Sequence, residues 1–249
     1  MIYIIFIIFG LLPSIVWLLF YLKKDSHPES KKMVLKIFLY GMVSGLIAFA
    51  IGMWLSWSIT FFGGRYIENI PLVFFFVNQF IIVALVEESS KFLIVKEKAI
   101  NNKEFDEPVD AMVYMIISAL GFAALENVLV LFSIGQTMVV KDAAIISSFR
   151  FLGATFLHAL ASGTVGYFLA LSICDSKNRL KLIIKGLIIA SILHGMFNIT
   201  IGIIERGLVT QNIILFAISF VSLIALLGGT AIFISSKFKK LKKIKSICK

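Results

Sequence analysis

The chain has 249 residues, 59% of them hydrophobic, with a mean hydropathy of +0.99 and only 15% charged side chains, against roughly 25% in soluble domains. That composition excludes a water-soluble globule. With about 20 apolar residues needed per crossing, the length accommodates about seven membrane-spanning helices and no soluble domain, so the formal net charge of +10 has to be placed on a topology before it implies any partner.

Apolar runs fall at 2–22, 37–62, 71–95, 111–134, 143–173, 182–204 and 213–234, each too long for a strand. Backbone groups in hydrocarbon must be satisfied within the segment, so these runs predict an all-α polytopic membrane helix bundle of about seven spans. The first run has no basic segment ahead of it and no cleavage motif behind it, and reads as a retained helix. The second carries Trp54 and Trp57 toward one end, as interfacial aromatics often lie, and Gly63-Gly64 and Pro71 punctuate its junction with the third. Small residues at helical spacing, Gly41/Gly45 and Ala159/Gly163, predict close helix packing. Cys174 and Cys248 fall on the side that the basic residues assign to the reducing cytoplasm, where no disulfide is expected, and read as bystanders.

Of the 24 Lys and Arg, 19 fall in the loops and tail on one side, and three, Arg65, Lys141 and Arg206, on the other. The positive-inside rule therefore predicts the N-terminus outside and the C-terminus cytoplasmic. The whole chain, 1–249, reads as one integral-membrane domain with a core at 71–204. Its basic cytoplasmic tail, 235–249, is expected to meet anionic lipid head groups, not nucleic acid.

The charges left inside the apolar runs are the informative ones. Glu87-Glu88-Ser89-Ser90-Lys91 lies about nine residues before Lys96, roughly 13 Å into the membrane, where each charge costs about 2.5–3.5 kcal/mol. Glu87 and Glu88 stand four and three residues from Lys91 and share its side of the helix. A locking ion pair needs one carboxylate and here there are two, a pattern suited to a general base with a helper or to a proton relay. The fourth run brings Glu126 and Asn127, a third carboxylate that needs a partner; Asp110, after Pro108, reads as its helix cap. Arg150, near the start of the fifth run, reads as reaching for the head groups, and Asn78 and Gln79 as interhelical hydrogen bonders. His158 lies mid-membrane in a stretch of small residues, and the sixth run holds His194 and Asn198, four apart on one face.

In order, Glu87-Glu88-x-x-Lys91, Phe122-x-x-x-Glu126-Asn127, His158 and His194-x-x-x-Asn198 resemble the PrsW-type intramembrane proteases, relatives of the CAAX prenyl endopeptidases and bacteriocin-processing proteins. The resemblance spans 87–198 and also takes in Asp110, Tyr114 and Gly121-Phe122-Ala123. It implies a peptidase of the bacterial cell membrane that cuts a single-span membrane protein, an anti-sigma factor in the family's associated role. Glu87 and Glu88 match the catalytic pair, His194 and Asn198 the last motif, and Glu126 stands where the CAAX relatives have a His. The expected site is thus Glu87, Glu88, His158 and His194, supported by Lys91, Glu126, Asn127 and Asn198, with glutamate-activated water and no cofactor favoured. A zinc site of His158, His194 and Glu87 is the variant within this class. A proton-coupled transporter using the same charges, and a noncatalytic immunity or scaffold protein of the same fold, are the alternatives outside it.

Overall fold

The structure, a computed structural model, describes residues 2–23, 29–134 and 140–244, without the side chains of 65–68 and 134. Its helices are α1 (Ile2–Leu22), α2 (Lys31–Glu68), α3 (Pro71–Val77), a π-helical segment (Asn78–Leu85), α4 (Val86–Lys98), α5 (Asp110–Ile134), α6 (Val140–Leu152), α7 (Ala154–Cys174), a short 3-10 turn (Ser176–Asn178), α8 (Arg179–Val209) and α9 (Ile213–Leu241). Among the described residues, seven segments are long and apolar enough to cross a membrane, in register with the seven apolar runs. The third crossing is α3, the π segment and α4 in series. The fifth apolar run is two helices, because the chain bends at Gly153 between α6 and α7.

α5 and α7 form the centre. In the most apolar window of each span, 67% of the α5 residues and 83% of the α6–α7 residues are buried inside the protein, against 17–39% elsewhere. The outer helices turn Leu, Ile, Phe and Trp outward, including Trp54 and Trp57, as a lipid-facing surface requires. Glycines set the closest approaches at the centre. A Cβ on Gly41 would lie 2.2 Å from the Ser118 carbonyl oxygen, on Gly121 2.0 Å from that of Phe38, and on Gly166 2.6 Å from Met112 Cα. Backbones of α2 and α7 can therefore press on α5 only with hydrogen at these positions. Gly64, with φ of 43°, bends α2 near its end in a conformation that disfavours a side chain.

The loops at the basic end are tied together. Tyr114 donates to Glu29, the Ser30 amide and hydroxyl donate to Glu104 at 3.1 and 3.0 Å, and Phe105 stacks on Tyr114. Asp110 accepts from the amides of Asp106 and Glu107 at 2.9 and 2.7 Å, which closes the turn leading into α5. Asn78 donates to Ser56 at 3.1 Å, the expected interhelical bond. α9 runs on to Leu241, burying Phe238 and Leu241, so the basic segment begins as packed helix. Cys174, read from the sequence as a bystander, is disulfide-bonded; Cys248 lies outside the described residues.

Candidate active site

Five helices deliver one connected polar network to the middle of the bundle. α4 starts it: the three-residue offset puts Lys91 Nζ 2.7 Å from Glu88 Oε1, and the four-residue offset puts it 3.6 Å from Glu87 Oε2. Glu88 and Lys91 are both wholly buried. Ser118 of α5 donates to the Lys91 carbonyl at 3.2 Å and so helps seat this turn. From α7, His158 Nδ1 lies 2.8 Å from Lys91 Nζ, and Ser162 donates to Glu88 Oε2 at 2.6 Å. From α8, His194 Nδ1 lies 3.1 Å from Glu88 Oε1. Phe122 of α5 lies 4.2 Å beneath the ammonium, an apolar and weakly attractive floor.

The network continues outward through Glu126. Its Oε2 lies 2.7 Å from His158 Nε2, and its Oε1 accepts from Arg150 Nη2 at 2.8 Å. Arg150 also donates to the Asn127 side-chain carbonyl, and Asn127 donates to Thr155 Oγ1 at 3.0 Å. Charges alternate along the path from Arg150 through Glu126, His158, Lys91 and Glu88 to His194, so each buried ion meets an opposite charge or an imidazole. That pairing offsets a desolvation cost of several kcal/mol per ion.

The partners assign the imidazole protons. Lys91 can only donate, so His158 Nδ1 accepts and its Nε2–H donates to Glu126. Glu88 can only accept when ionised, so His194 Nδ1–H donates to it. The other ring nitrogen, Nε2, faces Glu87 Oε2 at 3.8 Å. Glu88 is saturated by Lys91, His194 and Ser162, whereas Glu87 Oε2 is buried without a hydrogen-bond partner. Sequence reasoning could not separate the two glutamates; here one is anchored and the other is available.

Glu87 lines a cavity of about 690 Å³ bounded by α2, the π segment and α5, with Glu126, Ile82, Phe122 and Gly52 among its walls. The π segment ends two residues before Glu87, and such segments often mark functional sites. Its Phe80 packs on α8 where Gly195 leaves room: a Cβ there would lie 2.3 Å from Phe80 Cδ1. α8 is thereby drawn in beside the turn that carries Glu87.

Of the sequence-derived set, Glu87, Glu88, Lys91, Glu126, Asn127, His158 and His194 converge. Asn198 makes no hydrogen bond among the described residues. Arg150 corrects the sequence reading: it turns inward to Glu126 and Asn127 because α6 is a separate helix packed on α1, with Ser147 donating to the Phe9 carbonyl at 2.7 Å. Ser162 and Thr155 were not singled out. Arg150 had a usable signal, since Glu126 has no basic residue within four positions and Arg150 is a cation lying inside an apolar run; Ser162 had none.

Atoms of Glu87, His158 and His194 that could bind a metal lie within 4.8 Å of one another. Each histidine already donates its other N–H to a carboxylate, His194 to Glu88 and His158 to Glu126, which is the usual support of a metal-bound imidazole. Glu87 Oε2 and His194 Nε2 are free to bind; His158 Nδ1 would first have to release Lys91. The donor set of one carboxylate and two imidazoles fits a catalytic zinc.

The family described as PrsW family intramembrane metalloprotease matches residues 29–227. The Protease PrsW of Geobacillus kaustophilus is 30% identical over 191 residues, covering 76% of this chain and 76% of that protein. The Protease PrsW of Bacillus subtilis is 32% identical over 191 residues, 76% of this chain and 79% of that protein. The Protease PrsW of Clostridioides difficile is 29% identical over 130 residues, about half of each chain. No solved structure is significantly similar.

Proposed function

Because the chain belongs to the PrsW family of intramembrane proteases, we propose that it hydrolyses a peptide bond of a membrane-anchored protein, with Glu87 as the general base. The observation that carries this assignment is Glu87, a residue that lines the cavity and whose buried Oε2 has no hydrogen-bond partner, beside a Glu88 whose oxygens are all engaged. Glu87 takes a proton from water, and the oxygen adds to the scissile carbonyl carbon. The C–N bond then breaks as the proton passes to the leaving nitrogen. Glu88 and Lys91 hold the turn that presents Glu87, and Glu126 with Arg150 holds His158. The substrate we infer is a single-span protein, and the resemblance at Glu87 to Asn198 makes an anti-sigma factor the first candidate. The orientation inferred from the basic residues places tail 235–249 at anionic cytoplasmic lipid.

One observation favours a zinc-dependent form of the same reaction. A neutral His194 that donates Nδ1–H to Glu88 presents a lone pair at Nε2, which cannot polarise a carbonyl by hydrogen bonding but can bind a metal. Glu87, His158 and His194 would hold the ion, which when bound supplies Lewis acidity toward the carbonyl and acidifies water. Co-expression with candidate single-span proteins tests the function: a shortened product must appear with the unaltered chain and disappear with Glu87→Gln and His194→Ala. Cleavage that survives Glu87→Gln would exclude this base.

A further inference from the structure

Small residues recur on one face of α2 at Gly45, Ala48, Gly52 and Ser56, and helix packing is their ordinary explanation. It holds for Gly45, where a Cβ would press Leu125 Cδ2 at 3.0 Å. It does not hold for Gly52. A Cβ there meets nothing closer than the Ile82 carbonyl oxygen at 3.7 Å, an ordinary contact. What a side chain at Gly52 would enter is the cavity of about 690 Å³ that Gly52 shares with Glu87.

The cavity's size and chemistry describe its occupant. One turn of α-helix with side chains fills roughly 420–610 Å³, so the space takes about a turn's worth of chain and not a whole spanning helix. A helical peptide bond has its carbonyl engaged in the i−4 ladder, and attack requires that stretch to be unwound. Unwound backbone in an apolar setting then needs new partners. Asn78 donates to Ser56 Oγ at 3.1 Å, and both line the same cavity. The Ser56 hydroxyl proton and the Asn78 side-chain carbonyl make no hydrogen bond among the described residues, so one donor and one acceptor are available. Asn78 precedes Glu87 by nine residues, at most roughly 13 Å along the helix, since the π-helical stretch rises less per residue than an α-helix, or no more than about four residues of extended chain.

We propose that this cavity binds an unwound apolar segment of the substrate, and that Gly52 determines which substrate side chain fits beside Glu87. The proposal rests on the peptidase reading above. Ser56 and Asn78 then hold the substrate backbone within about four residues of the bond cut.

The test uses the full chain carrying Glu87→Gln in liposomes. The probes are a panel of single-span reporters with Ala, Leu or Phe at each position of the hydrophobic segment and a benzophenone side chain at successive positions. Photocrosslinks mapped by mass spectrometry are expected on α2 between Ala48 and Ser56. They should persist in Gly52→Ala and fall at least tenfold in Gly52→Phe. Gly52→Cys alkylated with N-benzylmaleimide after folding, with the unaltered chain treated in parallel, fills the same space without burdening folding and should give the same loss. With Glu87 restored, Gly52→Phe should cleave Ala-bearing reporters and reject those with Leu or Phe at the matching position. Crosslinks confined to other helices, no crosslink to α2 from any reporter, or crosslinking unchanged by the benzyl group would overturn the proposal. Crosslinks in the groove without cleavage by the unaltered chain would instead defeat the peptidase reading and leave the groove standing.

Discussion

His194 Nδ1 stands 3.1 Å from Glu88 Oε1, which turns the other ring nitrogen toward Glu87 Oε2 at 3.8 Å. A saturated carboxylate thus aims an imidazole at an unsaturated one, and the adjacent glutamates acquire different tasks.

Glu87→Gln should therefore abolish cleavage while leaving the fold intact. Loss of a general base costs about 10²–10⁴-fold in rate, and the side chain lies at the cavity without a hydrogen-bond partner on Oε2. Glu88→Gln should behave differently, since it removes the charge 2.7 Å from the buried Lys91 ammonium and leaves it only the longer pairing with Glu87, at a cost of about 3–5 kcal/mol of stability. Denaturant titration in detergent, run beside the cleavage assay, separates the two. Equal destabilisation by both variants would contradict the division of roles.

Arg150→Gln should lower turnover about 10–100-fold, the usual effect of losing a group that orients a catalytic or ligating imidazole, with little change in KM. Arg150→Lys should recover only part, because an ammonium cannot reproduce the guanidinium fork that reaches both Glu126 and Asn127. An arginine that merely met head groups would leave turnover unchanged in both variants.

Metal analysis of the purified chain distinguishes the two forms of the reaction. The zinc-dependent form predicts about one equivalent per chain, lost with His194→Ala, and weakened about 10–100-fold by Glu126→Gln through its hold on His158. Treatment with a chelator should then stop cleavage, and zinc should restore it. Activity that persists in thoroughly chelated protein would assign the chemistry to Glu87 and water alone.

Packing makes a prediction remote from the chemistry. Gly121→Ala places a Cβ 2.0 Å from the Phe38 carbonyl oxygen, so α2 and α5 must separate, at about 1–3 kcal/mol. Gly228→Ala, where a Cβ meets nothing within 4 Å, should be neutral or stabilising by roughly 0.5–1 kcal/mol. Unfolding midpoints of the two variants read the contrast directly.

The spans were legible in the sequence because a helix satisfies its own backbone, so each run of about 20 apolar residues declares itself without reference to its neighbours. The candidate residues were legible for a related reason: a charge is costly in hydrocarbon, and Glu87, Glu88, Lys91 and Glu126 stand out wherever their partners lie. Local spacing even paired both glutamates with Lys91. Only the tertiary structure decided which glutamate is free, that Arg150 serves Glu126, and that Ser162 completes Glu88. Those outcomes depend on the relative depth and rotation of α4, α5, α6, α7 and α8. Contacts between residues far apart in the chain, such as Gly121 on Phe38 and Gly195 on Phe80, set that depth and rotation, and no periodicity within a single helix encodes them.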